Sequence, residues 1–205
     1  TTIAAPSTTV DRVLALTGLA AANAGQLEAA VRNNNVPSNL TPKLSAAYGD
    51  KPEIYDNGCL LGNGRTDPPN CSWGPENAAT TVVLFGDSHA AQWFPAFEAV
   101  ANEYGWRLVL MAKKHCPVGE IKQPEPRYTS ECSAWRNKVM DALATLKPRV
   151  IVMSSIRYVG TTVDQQRAGL DVTLSRVAPL VPEMILIGDT PTPARDVPSC
   201  VSAHM

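Results

Sequence analysis

The stretch "TVVLFGDSHAAQWFPAFEAV", residues 81–100, decides the fold. Thr81–Gly86 is a short apolar run of strand type. Asp87, Ser88 and His89 form a small polar knot, and Trp93, Phe94, Phe97 and Val100 then recur at helical spacing for one buried face. A strand that feeds straight into a helix belongs to a parallel, helix-covered sheet. Within the knot, Ser88 has two readings. It caps the helix, as small polar residues often do, or it is a nucleophile whose developing oxyanion is met by outward-pointing N–H groups at the helix start. Gly86 lets the backbone turn sharply without a Cβ clash. The local residues favour neither reading over the other.

The same rhythm continues along the chain. Residues 107–112, 149–154 and 183–188 read as further strands, and 90–104, 132–147 and 163–177 as helices. The second helix has Ser133 as its expected N-cap and Val139, Leu143 and Leu146 inward; Thr161 and Asp164 resemble a capping box on the third. Short strands alternating with amphipathic helices predict an α/β fold, a three-layer α/β/α sandwich around a central parallel sheet. Ligands of such sheets bind at the carboxyl ends of the strands. Residues 86–89, 113–116, 154–158 and 188–190 share that rim. Before residue 80 the pattern differs: a linker over 1–6, a helical stretch over 9–33 with breaks expected at Gly18 and Gly25, then Gly-, Pro- and Asn-rich irregular chain to about 79. Residues 1–54 therefore read as a helical extension, and 55–205 as the α/β domain.

Composition narrows the partners. Lys and Arg number 18 against 19 Asp and Glu, a net charge of −1, and no Lys/Arg run exceeds Lys113-Lys114. No basic field favours nucleic acid or anionic lipid. No apolar stretch reaches the ~20 residues needed to span a bilayer. No basic segment precedes an apolar one at Thr1, so no signal peptide is expected, and the chain reads as a piece of something longer. Five cysteines lie at 59, 71, 116, 132 and 200, with no C-x-x-C and no histidine at zinc-like spacing, so no metal is expected. Reduced, buried thiols are the plain alternative. However, Cys59 and Cys71 flank one turn-rich loop and Cys116 and Cys132 flank another, which favours two disulfides and a location outside the cytoplasm. Cys200 is left over, as if its partner lay beyond residue 205.

"FGDSHAAQWFPAFEAV" resembles block I of the SGNH, or GDSL-type, hydrolase superfamily. The similarity is greatest to the soluble SGNH domains that follow the membrane domain of acyltransferase-3 family proteins in bacterial envelopes. "GWRLVLMAKKHCPV", "CSAWRNKVMDALATLKPRVIVMSS" and "ILIGDTPTPARDVPSC" extend the resemblance over about residues 55–205. It implies a flavodoxin-like SGNH sandwich with Ser88 as nucleophile and backbone oxyanion donor, and no cofactor. It implies a membrane acyltransferase that passes an acyl group, acetyl or similar, through Ser88 to a hydroxyl of an envelope glycan or glycolipid. The domain would lie on the extracytoplasmic side, tethered to the plasma membrane by a transmembrane domain of the same polypeptide.

Two features depart from that pattern. The family's G-x-N-D oxyanion Asn has no counterpart, since the strand end reads "SSIRY"; Ser155 or Arg157 stands there, and Asp87 and His89 complete the rim. A serine hydroxyl also needs a neighbour to take its proton, which the family supplies from D-x-x-H. Here Gly86, Ala112 and Val201 stand three residues before His89, His115 and His204. His115 is on the expected rim and is a minor candidate for the base. His89 adjoins Ser88, and side chains one apart on a helix do not face each other. Trp93 reads as core, and Asp189 as a turn former or an orienter of a rim group. A chain that ends before its base would explain the missing motif and the odd fifth cysteine, Cys200, together. The alternatives are a secreted carbohydrate esterase or deacetylase, or a glycan-binding module without catalysis.

Overall fold

The computed structural model describes residues 21–30, 32, 39–158 and 160–203. It divides into two compact units, residues 1–50 with 193–205, and Lys51–Thr192. In the first unit, residues 21–30 form helix α1, so Gly25 does not break it; an interior glycine costs only about 1 kcal/mol relative to alanine. The rest of the expected 9–33 helix and its Gly18 break, apart from residue 32, lie outside the described residues. A 3-10 turn at Leu44–Gly49 packs against the short helix α6 (Val197–Ser202), whose N-cap Asp196 accepts from the Ser199 N–H. Cys200 lies on α6 and takes part in neither disulfide. Among the described residues no helix is long and apolar enough to cross a membrane.

The second unit is built on a six-stranded sheet. Its strands are β1 (Leu60–Leu61), β2 (Ser72–Trp73), β3 (Thr81–Gly86), β4 (Arg107–Lys113), β5 (Val150–Ser154) and β6 (Glu183–Leu186). They run β1-β4-β3-β5-β6 across the sheet, all parallel, with β2 added antiparallel to β4. The two-residue β1 and β2 were not expected; they lie beside the Gly- and Pro-rich loop that the Cys59–Cys71 disulfide closes. The Cys116–Cys132 disulfide also forms.

Strand alternation sorts the core into two layers, because successive side chains leave opposite faces. Val83, Phe85, Val109, Met111, Ile151 and Met153 meet Trp135, Val139 and Leu143 of helix α4 (Pro126–Leu146) and Leu170, Leu174 and Val177 of α5 (Val163–Val177). Val82, Leu84, Leu108, Leu110 and Val152 meet Phe94 and Ala101 of α3 (Phe94–Tyr104), with Ala90 and Ala91 of α2 (Ser88–Ala91) and Ile54. This is the expected three-layer α/β/α sandwich. Trp135 is fully buried, its ring centroid 5.3 Å from that of Phe85. Burying one such side chain stabilises by roughly 2–3 kcal/mol.

Helix boundaries depart from the expectation for identifiable reasons. The single helix expected at 90–104 is two, because Pro95 has no N–H to donate to residue 91 and instead sits in the first turn of α3. α4 starts at Pro126 rather than 132, Pro being tolerated in a first turn, so Ser133 is interior and not the N-cap. The capping box on α5 is Thr162 with Gln165, one residue later than Thr161 and Asp164. β6 ends at Leu186, and Met184, Ile185 and Leu186 remain 43%, 48% and 52% exposed at the margin of the sheet.

Candidate active site

The turn that carries Ser88 sits where β3 ends, at the centre of the sheet. Gly86 pairs with Ala112 of β4 and Ser154 of β5. Its φ is +148°, and a Cβ there would stand 1.9 Å from the Ser154 carbonyl oxygen. Only glycine lets the chain leave the sheet this closely beside β5.

Asp87 follows as the N-cap of α2. Its Oδ1 accepts from the His89 N–H at 2.8 Å, and its carbonyl accepts from Ala90 and Ala91 at 3.1 and 3.0 Å. The capping role that could have explained Ser88 therefore belongs to Asp87. Ser88 is half-buried at the first helical position, and neither its hydroxyl nor its N–H is bonded to any described residue. Its carbonyl accepts from the Tyr55 hydroxyl at 3.2 Å and the Gln92 N–H at 3.1 Å. α2 is only four residues long, so little macrodipole acts on Ser88. What the turn offers an oxyanion is the uncommitted Ser88 N–H itself.

Two carboxylates join this turn to the loop after β5. Asp87 also accepts from the Ile156 N–H, at 3.0 Å to Oδ2. Burial pushes its carboxyl up from 3.8 to about 6, although the His89 and Ile156 donors pull the other way. Asp189, just beyond β6, takes the Arg157 N–H on Oδ2 at 2.7 Å and His89 Nδ1 on Oδ1 at 2.5 Å. Burial works to raise the Asp189 carboxyl, but the Arg157 N–H and His89 outweigh it and hold it below the usual carboxylate range. Asp189 thus orients a rim group. Its bond to His89 spans 100 residues of sequence, which no local pattern signals.

The other expected rim residues are dispersed. Ser155 and Arg157 line a cleft beside the turn, and the Arg157 main-chain donor is already committed to Asp189. His115 is at φ +64° with its ring stacked on Tyr128, centroids 5.3 Å apart, and its carbonyl accepts from Tyr158 and Gln123. Neither His115 nor His89 is hydrogen-bonded to Ser88. His204 lies outside the described residues. Trp93 packs against the α3-side core, as expected. Tyr55 and the Ile156 N–H are site groups that the sequence reading missed. Among the described residues, no cluster of His, Cys, Asp and Glu is arranged to hold a metal ion.

A serine released from capping duty, at the carboxyl end of the central strand of a flavodoxin-like sheet, defines an SGNH-type α/β domain. A family model described as "SGNH domain (fused to AT3 domains)" matches residues 57–205, and the chain belongs to this family. The sequence matches none of the curated proteins with significance. Among solved structures it is similar to the periplasmic domain of a lipopolysaccharide acetyltransferase of Salmonella ser. Paratyphi A, at 20% identity and a TM-score of 0.45. The match covers 66% of this chain and 48% of that one, so the chain spans about half the length of that neighbour.

Proposed function

We propose that Ser88 is the nucleophile of an acyl-transfer site that moves an acyl group, acetyl in the simplest case, to a hydroxyl of a cell-envelope glycan or glycolipid. The observation that carries this reading is the uncommitted hydroxyl and N–H of Ser88 above Gly86, with Asp87 doing the capping. Family membership adds the donor side, because domains of this family are fused to AT3 domains. A transmembrane partner in the same polypeptide then delivers the acyl group, and the two disulfides fit an extracytoplasmic, membrane-tethered location.

In the first half-reaction a base takes the Ser88 proton as the oxygen attacks the acyl carbonyl, the Ser88 N–H stabilises the oxyanion, and the donor leaves with that proton as the serine ester forms. In the second, the acceptor hydroxyl attacks that ester, and the acyl group moves to the glycan as Ser88 regains its proton. Each step needs a base. The His89–Asp189 pair has the carboxylate–imidazole form of such a base, but it braces the rim rather than bonding Ser88. The family resemblance puts the acting base in a D-x-x-H motif, which these 205 residues do not contain.

The test is the acetate released by mild alkali from envelope glycans of cells carrying the full-length protein. The Ser88→Ala variant should reduce it to the level of cells lacking the gene, and the wild-type gene should restore it. Unchanged acetate, with the variant present at normal abundance, overturns the assignment. That outcome would favour a glycan-binding module without catalysis, the reading supported by the lack, among the described residues, of a histidine bonded to Ser88.

A further inference from the structure

A cleft of ≈ 570 Å³ opens beside the nucleophile turn, between the loop after β5, the N-terminal half of α5, the end of β6 and the 117–121 segment. Its walls are largely aliphatic, with Ile121, Ile156, Leu170, Leu186 and Ile187 among them. Into this surface the chain places two guanidinium groups, Arg157 and Arg167. Neither side chain has a carboxylate or any other hydrogen-bond partner among the described residues. The one carboxylate that lines the cleft is Asp189, and both of its oxygens are occupied, by His89 and by the Arg157 N–H. The cleft therefore presents two guanidinium groups without an ion-pair partner among the described residues, beside one carboxylate, Asp189, whose hydrogen bonds go to His89 and the Arg157 N–H.

Arg157 and Arg167 come from different elements, the loop after β5 and helix α5, so their convergence is a product of the fold. The Arg157 main chain is pinned by Asp189 at 2.7 Å, which fixes the root of its side chain. Guanidinium forks match carboxylate and phosphate oxygens in pairs. The aliphatic walls suit the apolar face of a sugar ring, and the Ser155 hydroxyl, unbonded among the described residues, can serve a sugar hydroxyl. The wall that carries Arg157 is joined through Asp189 and His89 to the turn that carries Ser88.

We propose that this cleft is the acceptor subsite, and that it selects glycans bearing a carboxylate or a phosphate close to the hydroxyl that is acylated. The proposal rests on the reading of Ser88 given above. It names the chemistry of the acceptor and leaves the donor side unchanged.

The test is calorimetric titration of this 205-residue chain with three probes: a glucuronic-acid-containing disaccharide, its glucose counterpart, and N-acetylglucosamine 1-phosphate. At about 50 mM NaCl at least one anionic probe should bind at least about tenfold tighter than the neutral disaccharide, and the preference should shrink several-fold at about 300 mM. The glucuronic acid and phosphate arms identify which acid the cleft prefers. In the Arg157→Ala/Arg167→Ala variant the preference should vanish while the melting temperature stays within a few degrees, both side chains being exposed. Equal affinity for charged and neutral probes, a preference that survives in the double variant, or no binding of any probe overturns the proposal. The acetate assay with Ser88→Ala reads the nucleophile whatever the acceptor's charge, so failure of the subsite and failure of the nucleophile assignment give different results.

Discussion

Replacing Asp87 by Asn tests the electrostatics of the turn that carries Ser88 directly. The Asp87 side chain is 1% exposed, and burial moves its carboxyl from 3.8 to about 6. A carboxyl with a folded pKa above its unfolded value binds protons more tightly when folded. Its favourable contribution is complete below pH 4 and is lost as pH rises through 6. A rise of about two units corresponds to about 3 kcal/mol at full development, and roughly 2 kcal/mol of it falls between pH 4 and pH 7. Glu131, Asp189 and Asp196 have lowered pKa values and act in the opposite sense, so the wild-type profile alone does not isolate Asp87. The difference between wild type and Asp87→Asn does. Asn retains an acceptor for the His89 N–H, and loss of the Ile156 bond to Oδ2 gives an offset that does not vary with pH. Urea unfolding followed by tryptophan fluorescence at pH 4, 5, 6 and 7 should show the variant gaining roughly 2 kcal/mol on the wild type across the series. Parallel profiles would refute the claim that this carboxylate is desolvated beneath the turn.

Two further substitutions probe the frame of the site. Gly86→Ala puts a methyl group 1.9 Å from the Ser154 carbonyl oxygen at a φ of +148°. It should lower stability by at least about 3 kcal/mol, read as a fall in the urea midpoint, and an unchanged midpoint would mean that β3 and β5 do not approach so closely there. Lys113 is fully buried and held by Glu131 at 2.5 Å and the Gly62 carbonyl at 2.7 Å. Glu131→Gln should therefore cost about 3–5 kcal/mol by leaving a buried ammonium without its counter-charge, whereas Lys113→Met/Glu131→Leu should recover much of that loss in the same assay.

What could be read in advance was whatever depends on near neighbours in sequence. The short apolar run in 81–86 gives β3, and the amphipathic spacing in 163–177 gives α5 to the residue. Cysteines flanking irregular loops identified both disulfides. The failures have physical causes. Apolar periodicity at 93–100 runs through Pro95 and so reads as one helix where there are two, and the first turn of α4, Pro126–Thr129, carries no apolar stripe that would mark its start before Cys132. At the site, the GDSH letters pointed to Ser88 but left its capping role open, because the competitor for that role is its immediate neighbour. The link from His89 to Asp189 and the two arginines in the cleft depend on crossover connections that bring distant segments to one rim. Periodicity carries no trace of such meetings.

Strand β6 bears on how the sheet can grow. With β5 as its one strand partner among the described residues and about half of the surface of Met184, Ile185 and Leu186 exposed, it offers an open ladder and apolar side chains on both faces. Any extended segment with alternating apolar residues, from this polypeptide or a second copy, could dock there and lengthen the sheet by one rung. The molecule is thus closed around its central strand and still receptive at this flank, so concentrated samples of the isolated chain should be handled as though that flank were adhesive.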